Sequence, residues 1–388
     1  MHRRRFLALS GAALIAPGAW ASGTSWSRDF GAFVADGLAA THTPGMSVAA
    51  VAGGRTLFSA GYGYADVEAA RRVTADSVFQ IASVSKTVTA TAMMLLLQDG
   101  RFKLDDAVAP HLDFPLAHPK FPDLPITFRH LFTHTSGISD VIYSDLTFTG
   151  PAMKLRDFLT AYLAPGGKWY DPGKSFSDAK PGRHWSYSNV AVALLGYLAG
   201  RIGPESLDAI TQKRIFAPLG MRDTAWRYEG IAEDRLAEPY AFENARYKRL
   251  PHQAYPDWPA GLLCTSANDF AKFLALYTQD GAGILKPESV AAMLTPDPVL
   301  PSAEHPEIRQ GLIWQLRPLD GHAIVSHGGG DPGAATVAAF DPARKIAALA
   351  FANREPDRDF TKFQKDAIQR LLARAVSPDP RTTTVRRG

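Results

Sequence analysis

The chain has 388 residues, 46% hydrophobic and 21% charged, an ordinary soluble-protein composition long enough for one large domain with a substantial core. Three of the residues behind its formal charge of +4 are arginines in the first 21 positions, where there is no acid, so the remainder carries only +1. That near-neutral balance argues against nucleic acid as a partner, and no apolar run reaches the roughly 18 residues of a membrane span.

Residues 1–21 read as a signal peptide. Arg3-Arg4-Arg5 is a positive start, Phe6 to Ala16 is a short apolar stretch, and Ala19-Trp20-Ala21 supplies small-x-small before a cleavage point at Ser22. The order Arg-Arg-x-Phe-Leu (Arg3 to Leu7) resembles a twin-arginine export signal, with an arginine-rich Sec signal as the alternative. The expectation is an exported, periplasmic protein with one domain over 22–376, a disordered tail over 377–388 and no stable membrane insertion after cleavage. The single cysteine, Cys264, excludes an intramolecular disulfide, and its apolar setting in Gly-Leu-Leu-Cys-Thr-Ser predicts a buried structural thiol.

After the leader, the spacing of Phe30, Phe33, Val34 and Leu38 predicts a helix over Trp26 to Ala40. Met46 to Ala52, Gly53-Gly54 and Thr56 to Tyr62 predict a β-hairpin. Ser83 to Gln98, nearly uncharged and stopped by Gly100, predicts a buried helix. The region from about 101 to 257, rich in Pro, Gly and aromatics, carries helical stretches at Leu155 to Leu163 and Val190 to Ile202. Ser266 to Gln279 and Pro287 to Leu294 also read as helices. Strand patterns return at Ala323 to Ser326, Ala334 to Phe340 and Ile346 to Ala352, before a last helix from about Asp359 to Val376. Strands at both ends with helices between them predict an α+β fold. One antiparallel sheet is assembled from both termini and flanked by helices, with the helix-rich region 101–257 inserted.

Three motifs carry chemistry. Ser83-Val84-Ser85-Lys86 is an S-x-x-K at a buried helix start. Its spacing puts Ser83 and Lys86 on one face, and the helix N-terminus adds positive potential where an oxyanion would form. Burial disfavours a charged ammonium and so favours the amine form that accepts a proton. Tyr187-Ser188-Asn189 places a tyrosine able to relay a proton beside an asparagine able to orient a substrate amide. His327-Gly328-Gly329-Gly330 reads as a glycine-rich link between two strands, against which a substrate backbone could lie. Each also has a plain reading: a helix with a surface lysine, a core tyrosine at a loop-to-helix join, and a hairpin with an incidental histidine.

Together, in this order, the motifs resemble the serine β-lactamase and penicillin-recognising superfamily, whose signature is S-x-x-K, a central tyrosine or serine motif, and K-T-G. Phe79 to Lys86 resembles that family's nucleophile segment. Ile126 to Ile138, containing Leu131-Phe132-Thr133-His134-Thr135-Ser136-Gly137, resembles its class C, esterase and D-alanyl-D-alanine carboxypeptidase branch. The resemblance implies a β-lactamase/transpeptidase-like fold and a serine hydrolase that acts on esters, amides or peptides without a cofactor or metal. It implies Ser83 as nucleophile, and Lys86 with Tyr187 as the pair that handles protons. The N–H groups of Ser83 and Gly330 would form the oxyanion hole, and Asn189, His327, Gly328 and Gly329 would contact substrate. His327-Gly328 departs from Lys-Thr, so the groups that grip a substrate carboxylate are missing. Esters or uncharged amides are therefore expected ahead of D-amino-acid peptides and β-lactams, with Arg354 the fallback source of positive charge. A cell-wall peptide binder without turnover is the non-enzymatic alternative. His130 and His134 have metal-like spacing but no nearby acid of the H-E-x-x-H kind, so a structural role is expected.

Overall fold

The computed structural model describes residues 25–146, 153–299, 301 and 306–376. The signal-peptide and tail assignments, at 1–21 and 377–388, lie outside the described residues. The chain begins with α1 (Ser25–Ala40), β1 (Gly45–Ala52), β2 (Arg55–Asp66), β3 (Arg71–Arg72) and β4 (Val78–Gln80), followed by α2 (Ser85–Gln98). The middle region carries α3 (Phe128–Phe132), α4 (Leu155–Leu163), α5 (Asn189–Ile202), α6 (Leu207–Thr211) and α7 (Ala217–Leu219). It also holds β5 (Thr224–Ala225) and a hairpin of β6 (Tyr240–Glu243) and β7 (Arg246–Arg249), which the sequence reading did not anticipate. Then come β8 (Cys264–Ser266), α8 (Ala267–Thr278), α9 (Pro287–Leu294), β9 (Arg309–Gln310), β10 (Gln315–Leu319), β11 (His322–Asp331), β12 (Ala334–Asp341), β13 (Ile346–Ala352) and α10 (Arg358–Val376).

The main sheet has eight strands in the order β3-β2-β1-β13-β12-β11-β10-β9, so both ends of the chain meet where β1 pairs with β13. The expected α+β architecture is what the chain adopts. Gly53 and Gly54 connect β1 to β2 with positive φ at both positions, the tight-turn geometry that favours glycine.

Alternation along the central strands builds two cores. Met46, Val48 and Ala50 of β1 join Ala348 and Ala350 of β13 against Phe30 and Val34 of α1 and Phe360 and Leu371 of α10. Ala49 and Val51, with Leu349 and Phe351, face the opposite way, toward α8 and the helical region. Both faces of these strands are buried, which is why they read as continuous small-and-branched runs rather than as polar alternation. Helix α2 lies inside the second core, buried from Ser85 to Leu96. That position accounts for its lack of a polar face.

The third motif differs from its expected form. Strand β11 does not stop at Ser326; it runs through His327-Gly328-Gly329-Gly330 to Asp331 and turns at Gly333. Pairing with β12 continues to Asp331↔Ala334, whereas pairing with β10 ends at Ser326↔Gln315. The glycines are therefore strand, held by β12 on one side and open along the other edge. Composition hides this because glycine is depleted from strands unless a close approach requires it.

Candidate active site

Ser83 lies in a single 3-10 turn, Ala82–Val84, immediately before α2, so the buried helix starts two residues later than its composition suggested. Ala82 has φ +45°, a conformation that alanine adopts only under constraint. The constraint comes from β11 and β12. A Cβ on Gly329 would stand 2.6 Å from the Ile81 carbonyl oxygen and 3.0 Å from the Ser83 nitrogen, so the turn packs directly on the strand. Thr336 Oγ1 donates to that same Ile81 carbonyl at 2.7 Å. Gly329, expected to touch substrate, also supports the serine turn. Of the motif serines, Ser85 accepts from Leu263 N, and Ser188 caps α5 through Ala191 N. Ser85, Ser136 and Ser188 are buried, whereas Ser83 is partly exposed.

Lys86 is fully buried at 0% exposure. Its Nζ lies 2.9 Å from Ser83 Oγ, 2.7 Å from Asn189 Oδ1 and 2.6 Å from the Ala260 carbonyl oxygen. Asn189 Oδ1 and a carbonyl can only accept, so they take two N–H bonds. In the amine form that leaves the lone pair facing the Ser83 hydroxyl, the arrangement a general base needs. The nitrogen also stands 5.0 Å from the centroid of the Tyr187 ring, so S-x-x-K and Tyr187 meet as expected.

Tyr187 is held between aromatic neighbours, 4.5 Å from the His134 ring and 6.4 Å from the His327 ring. His134 takes φ +56° and accepts from Ser188 N through Nδ1, while burial holds its pKa well below the ordinary value. It is a neutral support beneath the tyrosine. His130 belongs to the capping box of α3, accepting from Thr127 N. Both histidines are thus engaged structurally.

Asp140 was not legible as part of this site. Its carboxylate accepts from Ser188 Oγ (2.7 Å), Asn189 N (2.6 Å) and Val190 N (3.3 Å), a distant cap on the first turn of α5. It fixes the residue that in turn holds Lys86. A cap supplied from 49 residues away leaves no local pattern.

On β11, residues 327, 329 and 331 share the face toward Ser83, by the two-residue repeat of a strand. His327 is 5% exposed. Burial, and then the nearby Lys86 charge, hold its pKa down to about 3. The lowered pKa keeps the ring neutral at ordinary pH, although its Nδ1–H donates to the Gly328 carbonyl at 2.7 Å, a bond that works in the opposite direction. Gly328 and Gly330 are exposed on the open edge. Arg354 does not compensate. Its guanidinium donates to Thr41 O and Asp357, and it lies over Phe360, in the layer of α1 and α10.

A cleft of about 200 Å³ opens beside Ser83, with Asn189, Gly330, Tyr143, Asp257 and Asp331 among its walls. Burial pushes the Asp257 carboxyl up to about 6 and the Asp331 carboxyl up to about 7. A folded-state value above the unfolded 3.8 means that the native protein binds extra protons between those limits. The carboxylate therefore destabilises the fold above pH 6, and this cost disappears as pH falls toward 4. Asp257→Asn should raise Tm by a few degrees at pH 8 and by progressively less toward pH 4. Thermal melts across that range check this, and a gain that grows on acidification would contradict it.

The β-lactamase family profile matches residues 30–373. The chain belongs to the β-lactamase family. Among curated relatives it is 27% identical over 234 residues to protein flp of Staphylococcus aureus (strain MW2), covering 60% of this chain and 45% of that protein. The chain thus spans about half the length of that relative. It is 26% identical over 353 residues to penicillin-binding protein 4* of Bacillus subtilis (strain 168), covering 86% of this chain and 74% of that one. The octameric penicillin-binding protein homologue from Pyrococcus abyssi superposes with TM-score 0.77 at 25% identity, covering 89% of this chain and 77% of that chain. The hydrolase EstCE1 superposes with TM-score 0.73 at 20% identity, covering 88% and 98%, a likeness of fold. The β-lactamase/transpeptidase-like architecture is thereby established. No helix among the described residues is long and apolar enough to cross a membrane.

Proposed function

We propose that this protein is an exported serine hydrolase that cleaves esters or amides lacking a carboxylate through an acyl-enzyme on Ser83. The observation that carries the reading is the contact of Lys86 Nζ with Ser83 Oγ at 2.9 Å, with two acceptor-only groups holding the same nitrogen. Ser83 Oγ attacks the acyl carbon while its proton passes to the Lys86–Tyr187 pair. The N–H groups of Ser83 and Gly330 receive the oxyanion, and the proton goes on to the departing alcohol or amine. Water then repeats the sequence and frees the acid and the serine. The family also contains β-lactamases and penicillin-binding proteins. The buried neutral His327 and the side-chain-free Gly328 are what favour substrates without a carboxylate here.

A side-by-side assay of p-nitrophenyl esters, nitrocefin and D-alanyl peptides tests this preference. Short-chain esters should be hydrolysed faster than nitrocefin. The double change His327→Lys with Gly328→Thr should raise the nitrocefin-to-ester ratio. A Cβ at 328 would meet Thr336 O at 3.9 Å, an ordinary contact, so the backbone there accepts a side chain. Faster nitrocefin than ester turnover by the unchanged protein would overturn the preference. A non-catalytic binder would show no acylation by an active-site phosphonate.

A further inference from the structure

The cleft beside Ser83 carries negative charge that the proposed chemistry does not use. Asp257 is only 3% exposed. Its carboxylate interacts with the Tyr143 hydroxyl, and its Oδ1 is buried without a hydrogen-bond partner. An unpartnered buried acceptor is costly, so it marks a place where a donor is missing. Asp331 lies one residue beyond Gly330, on the face of β11 that looks toward Ser83. It is positioned by Gln80, whose Nε2 lies 3.3 Å from Asp331 Oδ2 and whose Oε1 accepts from Tyr228.

Among the described residues, no cation forms an ion pair with either acid. Lys86 is the basic side chain whose field reaches both acids. Its Nζ is already committed to Ser83, Asn189 and Ala260. The third acid, Asp140, is satisfied by α5 and Ser188. Two carboxylates thus share a small cleft with the scissile position, one of them with an open acceptor.

We propose that Asp257 and Asp331 form a subsite for a protonated amine on the acyl part of the substrate, so that the preferred substrates are small aminoacyl esters and amides. The inference rests on Ser83 being the acylated residue. An ammonium carries three donors that match the unpartnered Asp257 Oδ1 and the Asp331 carboxylate. The cleft, at about 200 Å³, suits a short acyl group. The same reading explains why two acids are kept where burial opposes their charge: the ligand supplies the counter-ion that the fold withholds.

The test compares four p-nitroanilides at neutral pH, those of D-alanine, L-alanine, N-acetylalanine and propionic acid. With the unmodified protein, kcat/KM for the better alanine enantiomer should exceed that for the propionyl compound by about 10- to 100-fold, the value of a charge-assisted hydrogen bond. Acetylation should remove the advantage. Asp257→Asn and Asp331→Asn should each reduce the alanine-to-propionyl ratio about tenfold or more, and Asp331→Glu should restore part of it. Equal rates on alanine and propionyl compounds overturn the proposal, as does a ratio that survives both asparagine variants. The comparison in the unmodified protein decides the matter even where a variant fails to fold. Failure of the underlying hydrolase reading is separately visible, because p-nitrophenyl acetate would then leave no acetyl group on Ser83.

Discussion

Ser83→Ala lowers kcat on any ester that the protein hydrolyses by roughly 10⁴–10⁶-fold, leaving the residual rate that binding and oxyanion donors alone provide. The expectation comes from position rather than from motif alone. Ser83 is the partly exposed serine of the motifs, lining the cleft and 2.9 Å from Lys86 Nζ, while Ser85, Ser136 and Ser188 are buried. Digestion and mass spectrometry after a slow substrate should place the acyl adduct on the peptide containing Ser83. An adduct on Ser85, Ser136 or Ser188 would overturn the assignment. The alanine variant should keep the melting temperature of the parent, because its hydroxyl contacts Lys86 and carries no part of the core.

The second large effect concerns the proton pair. Lys86→Ala and Tyr187→Phe should each lower kcat by several orders of magnitude, and the double variant should be little worse than the poorer single one. Lys86 Nζ lies 5.0 Å from the tyrosine ring centroid and against Ser83, so the groups form one unit and removing either interrupts the same transfer. Losses that multiply fully would show that the two act independently. Lys86→Ala also leaves Asn189 Oδ1 and the Ala260 carbonyl without their donor, so its melting temperature should fall. Tyr187→Phe keeps the ring packed on His134, which makes its kcat the cleaner measure of the hydroxyl.

Much of the fold was legible because it rests on local rules. The hairpin at Gly53-Gly54 follows from turn chemistry, and the helices at Leu155–Leu163 and Pro287–Leu294 follow from periodicity with residue-level agreement. What failed locally was set by contacts from elsewhere. The strand through His327 to Asp331 looks like a turn because glycine has no strand preference. Packing on the Ser83 turn requires it, and pairing with β12 keeps it extended. The β6–β7 hairpin, with the charged run Arg246-Tyr247-Lys248-Arg249, lacks the apolar alternation that marks a half-buried strand.

The site divides the same way. Sequence determined the chemical inventory: a serine and a lysine one turn apart, a tyrosine and an asparagine at a helix start, and a third motif without its lysine and hydroxyl. Spacing within one helix turn is a local geometric constraint, so four letters were enough to place Ser83 beside Lys86. Tertiary structure alone decided the rest. It placed Asp140 beneath Asn189, filled the remaining bonds of Lys86 with the Ala260 carbonyl, and turned Arg354 away to α10. It also brought Asp257 and Asp331 to one cleft from positions 74 residues apart. Burial, which long-range packing sets, is what leaves His327 neutral and raises the pKa of those two acids. No window of sequence contains that information, because the low-dielectric surroundings come from elements distant in the chain.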